Sequence, residues 1–182
     1  NYAQVLGSVF YGLGTGATLL CAQYYGKKDF RAIQAVQGIA MRFSTAISAL
    51  FALAAFMVPQ VMMRLFTNDA ELISIGAGYL RIMGITYLCW GIIEVYMSVL
   101  RSIGRVTVCL ALNVLTFFLN ILLNATFIFG LFGAPRLGAI GVAIATAASR
   151  AVELIASIVV SAFSKDVKLA PMEMFRSNRV LT

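Results

Sequence analysis

A chain of 182 residues that is 61% hydrophobic and only 12% charged, with a mean hydropathy of +0.92, is not an ordinary soluble domain, where roughly 45–50% of residues are apolar and about 25% charged. Its net charge of +7 does not indicate nucleic acid, because the basic residues stand in short clusters between long apolar runs and no nucleic-acid motif accompanies them. The sequence has no histidine, no Walker-type phosphate loop, no HExxH and no serine or cysteine beside a credible base, which argues against an enzyme. What remains is an integral protein whose partner is the lipid bilayer.

In chain order, the first apolar run covers residues 2–25 and contains Gly7, Gly12, Gly14 and Gly16. Small residues let membrane helices approach closely, and Gly12 with Gly16 forms a GxxxG pair. A basic connection, Gly26-Lys27-Lys28-Asp29-Phe30-Arg31, leads to a second run over 32–58 that Pro59 helps to end. Residues 60–66 read as a short interfacial helix and 67–71 as a loop, with Thr67 or Asn68 as the expected cap of the helix that follows. The third run, 72–100, is long enough to cross ~30 Å of hydrocarbon with tilt. A fourth spans 106–129, a Gly/Pro turn follows over 130–138, a fifth run covers 139–163, and 164–182 is a polar, basic tail.

The expected fold is therefore all-α, a polytopic bundle with five transmembrane helices. Because the chain opens on Asn1 already inside an apolar segment, we expect a piece of a longer membrane protein. Cys21, Cys89 and Cys109 are widely spaced within apolar runs, so neither a disulfide framework nor a transition-metal site is indicated. Sidedness follows from loop charge. Lys27, Lys28, Arg31, Arg101, Arg105, Lys165, Lys168, Arg176 and Arg179 fall on one side against Arg64 and Arg136 on the other, which assigns the first side to the cytoplasm.

Two polar stripes interrupt the apolar runs. At roughly 100° per residue, Asn113, Thr116, Asn120 and Asn124 share one face of the fourth helix, with Phe117 interleaved. Thr146, Ser149, Arg150, Glu153 and Ser157 share one face of the fifth at i, i+3, i+4, i+7 and i+11. A buried amide without a partner costs about 2–7 kcal/mol, so such stripes face other helices or a wet cavity. One reading is interhelical glue, worth on average ~0.6 kcal/mol per contact. The other is a pair of facing cavity walls, lined by Asn113, Thr116, Phe117, Ser149 and Arg150. Among the charges, Arg42 and Arg81 can snorkel, and Arg150 and Glu153 can neutralise each other within one helix. Glu94 is either the partner of Arg81, Arg101 or Arg150, or, like Glu153, a candidate proton or ion relay.

Four segments taken together, GLGTGATLLCAQYYGKKD (12–29), VPQVMMRLFTNDAELISIGAGYLRI (58–82), YMSVLRSIGR (96–105) and LNILLNATFIFGLFGAPRLGAIGVAIATAASR (119–150), resemble the multidrug and toxic compound extrusion (MATE) family of secondary transporters. The resemblance implies helices two to six of an amino-terminal six-helix lobe over 1–163, with 164–182 a cytoplasmic tail or the start of an inter-lobe linker. The first helix and the carboxy-terminal lobe would be missing. It further implies a multi-pass protein of the plasma membrane that exports small organic, often cationic and amphipathic compounds by alternating access. The coupling ion would be sodium or a proton, and no other cofactor is expected. Asn120, Asn124 and Thr146 match the family's cation-site positions, although some relatives carry an aspartate where this chain has Asn124. The acidic member of that site would come from the first helix. Two other readings stay open: a lipid-linked oligosaccharide flippase of the same superfamily, which would gather Arg42, Arg81 and Arg150 in one cavity, and a non-transporting membrane scaffold, whose stripes would be packed shut.

Overall fold

The computed structural model describes residues 2–64, 67–130, 133 and 135–163. The tail over 164–182, with Lys165, Lys168, Arg176 and Arg179, lies outside the described residues, as do residues 1, 65, 66, 131, 132 and 134. Among those described there are six helices: α1 (Tyr2–Gly26), α2 (Phe30–Met57), α3 (Pro59–Arg64), α4 (Ala70–Ser102), α5 (Val106–Phe129) and α6 (Gly138–Phe163). All but α3 are long and apolar enough to span a bilayer. Five successive crossings put Lys27, Lys28, Arg31, Arg101 and Arg105 at one end of the bundle, and Arg64 and Arg136 at the other.

The helix boundaries follow local chemistry. Asp29 caps α2, its carboxylate accepting from the Ala32 amide at 3.1 Å, which starts that helix two residues before the apolar run. Pro59 opens α3, where its missing N–H costs nothing. The cap of α4 is Asp69 rather than Thr67 or Asn68. Its Oδ1 accepts from the amides of Glu71 at 2.9 Å and Leu72 at 3.4 Å, whereas the Thr67 hydroxyl accepts from the Asp69 amide at 3.2 Å and is thereby committed to the loop.

Helix α4 is the axis of the bundle and touches every other helix. Its 33 residues, at 1.5 Å each, run to about 50 Å, so it tilts within the membrane or projects beyond it. Two apolar clusters pack along it. One, toward the basic end, gathers Cys21, Ile33, Met41, Tyr96, Val99 and Leu100; the other gathers Leu6, Phe10, Ala55, Leu80, Met83 and Tyr87. Cys21 and Cys109 are buried and all three cysteines are free thiols.

Small residues set the closest approach, though not where the GxxxG pair suggests. A Cβ added at Gly12 or Gly16 would meet nothing within 4 Å, and both glycines line an apolar groove beside α2. The tight seam is between α2 and α4. The Ser44 hydroxyl donates to the Gly91 carbonyl at 2.8 Å, and Ser44, Ser48, Ala52 and Ala55 form a buried stripe of small side chains on α2. A Cβ on Gly91 would stand 2.7 Å from the Ser44 hydroxyl oxygen and 3.1 Å from the Phe10 ring, and would collide with Ser48. Gly91→Val is therefore expected to destabilise the protein by about 1–3 kcal/mol, the range for overpacking, as a lowered melting temperature of the purified full-length protein. Gly12→Ala, by contrast, meets nothing that must move.

Candidate functional site

Helices α5 and α6 form an antiparallel pair. Their close approach depends on Gly141, where a Cβ would lie 2.8 Å from the Phe127 Cβ and 3.1 Å from the Leu137 Cβ. Between the two polar stripes lies a cavity of ≈ 500 Å³, within the usual range of about 300–1,000 Å³ for ligand sites. From α5 it is lined by Asn113, Val114, Thr116, Phe117 and Asn120; from α6, by Thr146, Ser149, Arg150 and Glu153.

At the narrow end the stripes are joined by a chain of amides. Asn124 Nδ2 donates to Asn120 Oδ1 at 2.8 Å, and Asn120 Nδ2 donates to Thr146 Oγ1 at 3.4 Å. The Thr146 hydroxyl in turn donates to the Val142 carbonyl at 2.9 Å, which turns its lone pairs toward α5. Asn124 does not line the cavity; it stands behind Asn120, and its Oδ1 is buried with no hydrogen-bond partner. An unsatisfied buried acceptor costs about 1–3 kcal/mol. Three side-chain oxygens on neighbouring turns, one without a donor, suit a hard cation, which takes oxygen ligands.

Further along, Arg150 Nη1 donates to Glu153 Oε2 at 2.6 Å, and the same guanidinium lies 5.7 Å from the centroid of the Trp90 ring. Glu153 is 1% exposed and Arg150 32%. Neighbouring Ser149 is buried and donates to its own helix, to the Ala145 carbonyl at 2.8 Å. Thr116 likewise donates to the Leu112 carbonyl at 2.9 Å. The sequence reading did not single out Trp90 or Val114. Trp90, the one tryptophan in the chain, packs edge-on to Phe10 and so holds the floor under Arg150.

Glu94 lines a different cavity. Of its three candidate partners it has Arg101, two turns along the same face of α4, at 2.9 Å. Arg101 also donates to the Ser98 hydroxyl at 3.0 Å. The pair lines a second polar cavity of ≈ 340 Å³ against Tyr11, Thr15 and Thr18 of α1. Arg42 and Arg81 do not line the first cavity, to which Arg150 alone of the three arginines contributes.

The MatE family model matches residues 1–126. The chain is 28% identical over 138 residues to "Probable multidrug resistance protein YoeA" of Bacillus subtilis, covering 76% of this chain and 30% of that protein. It is 29% identical over 143 residues to "Probable multidrug resistance protein NorM" of Thermotoga maritima, covering 78% and 31%. A further B. subtilis relative, "Uncharacterized transporter YisQ", is 25% identical over 94% of this chain and 38% of its own length. The chain thus spans about a third of the curated relatives it matches. Its fold matches a solved structure described as the inward-facing conformation of a multidrug resistance MATE family transporter, with TM-score 0.81 and 20% identity over 95% of this chain and 39% of that one. Five membrane-length helices in the order of that fold, and a family match over more than two-thirds of the sequence, make this a multi-pass membrane protein that belongs to the MatE family of transporters.

Proposed function

We propose that this chain forms helices two to six of the amino-terminal lobe of a cation-coupled exporter of organic amphipathic compounds in the plasma membrane. The lobe would occupy 1–163, with 164–182 leading out of it, and would be completed by a first helix and a second lobe. Asn120, Asn124 and Thr146 contribute the neutral oxygens of the coupling site, and the α5–α6 cavity contributes one wall of the transport path. The single observation that carries this reading is the orphaned Asn124 Oδ1 at the end of the Asn124–Asn120–Thr146 chain. It supports a cation site because a buried acceptor without a donor is stabilised by a positive charge.

Coupling requires that the ion bind one cavity conformation better than the other, since equal affinity shifts nothing. The chain's own part is to hold three oxygens on two helices, so that a change in α5–α6 spacing alters how many reach the ion. None of the three side chains is acidic, and the charge that decides between sodium and a proton belongs to the acidic residue expected on the preceding helix. The flippase reading is less favoured because Arg42 and Arg81 do not join Arg150 in the cavity. The scaffold reading is less favoured because the stripes line open space rather than a closed seam. The test is reconstitution of the full-length protein in proteoliposomes under an imposed sodium gradient or an imposed pH gradient. Export under one of them is expected; no export under either would overturn the reading.

A further inference from the structure

Helices α1 and α2 touch each other and α4, and among the described residues neither touches α5 or α6. They therefore stand apart from the α5–α6 cavity, whose coupling site the first helix is proposed to complete. Between α1 and α2 runs a groove of ≈ 360 Å³, lined by Gly12, Gly16 and Leu20 from one helix and by Val36, Ile39 and Phe43 from the other. Gly12, Gly16 and Leu20 stand roughly 130° round α1 from Tyr11, Thr15 and Thr18, which line the polar cavity against α4, so the groove opens on a different flank. No polar side chain lines it, and a Cβ on either glycine would meet nothing within 4 Å. Such a trough offers nothing to a polar solute and suits a hydrocarbon chain.

Its cytoplasmic end is charged. Leu20 lies six residues before the end of α1 at Gly26, and Val36 six residues after the start of α2 at Phe30, so the groove begins about 9 Å below the helix ends. Above it, Lys27 and Lys28 occupy the connection and Arg31 the first turn of α2, all three exposed. The connection is folded back onto α1: the amides of Lys27 and Asp29 donate to the Tyr24 carbonyl at 3.1 and 3.0 Å, and that of Lys28 to the Tyr25 carbonyl at 2.9 Å. Its one acidic residue, Asp29, is engaged as the cap of α2 by the Ala32 amide. Among the described residues no carboxylate pairs with Lys27, Lys28 or Arg31. Three cations are thus held without a counter-charge at the interface, over an apolar trough. A further protein helix seated in the groove would fill the trough and leave those charges uncompensated, whereas an amphiphile with an anionic head answers both.

We infer that the α1–α2 groove binds an anionic phospholipid of the cytoplasmic leaflet, with the headgroup at Lys27, Lys28 and Arg31 and one acyl chain along Gly12 and Gly16. The charges select the lipid: near a membrane surface each lysine or arginine strengthens binding of an anionic headgroup by about fivefold, and a zwitterionic headgroup gains no such net attraction. The glycines admit the chain, because a larger residue at 12 or 16 would occupy its place. A lipid seated there contacts both helices along the open groove and ties α1 to α2. The inference does not depend on the exporter reading.

The experiment places the full-length protein in phosphatidylcholine nanodiscs that carry a trace of phosphatidylglycerol or of phosphatidylcholine, each with a photoreactive diazirine in one acyl chain, and maps the crosslinked peptides by mass spectrometry. Phosphatidylglycerol is expected to label the segments 12–20 and 36–43 at least about tenfold more than phosphatidylcholine does. The triple variant Lys27→Gln, Lys28→Gln, Arg31→Gln leaves the groove intact and should bring phosphatidylglycerol labelling there down to the phosphatidylcholine level. Gly12→Leu with Gly16→Leu fills the groove and should remove labelling of these segments by both lipids while labelling elsewhere is unchanged. Equal labelling by the two lipids in the wild type, or a preference that survives the triple variant, would overturn the inference. So would wild-type segments that take no label together with a lowered melting temperature of the leucine variant, which would assign the groove to another helix of the protein. If the leucine variant does not elute as a single species, the triple variant, whose substitutions lie outside the packed helices, decides alone.

Discussion

Replacing Asn120 by leucine in the full-length protein is expected to abolish gradient-driven export while leaving membrane insertion intact. Asn120 is the middle of the amide chain: it accepts from Asn124 at 2.8 Å and donates to Thr146 at 3.4 Å. Leucine has the same number of side-chain heavy atoms with the same branch at Cγ, so it keeps the outline of the residue on the helix, but three things are lost together. The oxygen of residue 120 goes, the Asn124 amide loses its acceptor, and α5 is no longer tied to α6 at this level. Hydrogen bonds to a charged group are worth about 1.5–3 kcal/mol each, and every 1.4 kcal/mol is about tenfold in affinity. Loss of one ligand and misorientation of a second thus predicts a fall in coupled transport on the order of a hundredfold. The fold should survive, because interhelical hydrogen bonds in membranes contribute on average only ~0.6 kcal/mol each. Export at the wild-type rate, measured beside expression and elution profile, would remove Asn120 from the coupling site.

The largest stability effect is expected at the Arg150–Glu153 pair, and it should be asymmetric. Arg150→Met leaves a carboxylate that is 1% exposed without its cation, and breaking a buried pair from one side costs about 3–5 kcal/mol. Glu153→Leu leaves instead an arginine that is 32% exposed, lines a cavity and still lies over Trp90, so the expected cost is smaller. The double variant Arg150→Met with Glu153→Leu should recover most of the loss, since replacing both members of such a pair by apolar groups is often neutral. Thermal unfolding of the four proteins in one detergent checks the order: wild type and double variant highest, Glu153→Leu next, Arg150→Met lowest. Equal melting temperatures for the two single variants would mean that burial does not separate the two charges as described.

Both expectations depend on facts of different origin. The five spans, the short helix α3 and the two polar stripes were legible in the sequence, because each follows from helix period and bilayer thickness within one segment. Eight of the site residues named from the stripes and the charges, from Asn113 to Glu153, line one cavity. That juxtaposition has a simple cause. A polar side chain in a membrane helix has few places to go, so two stripes on consecutive helices joined by only eight residues tend to face each other or the same water.

Tertiary structure decided the rest. Helix period fixes the azimuth of a side chain on its own helix but not what stands opposite. The GxxxG spacing on α1 therefore gave no sign that Gly12 and Gly16 would face a groove while Gly91, with no such spacing, would carry the tight α2–α4 seam. For the same reason Glu94 had three possible partners in the sequence and has one in the fold, Arg101 on its own helix. Trp90 became part of the site only when α6 packed across α4 and laid Arg150 over its ring. That Asn120 lines the cavity while Asn124, about 40° round the helix from it, does not and keeps an unsatisfied oxygen depends on how α5 packs against α6, where Phe127 meets Gly141.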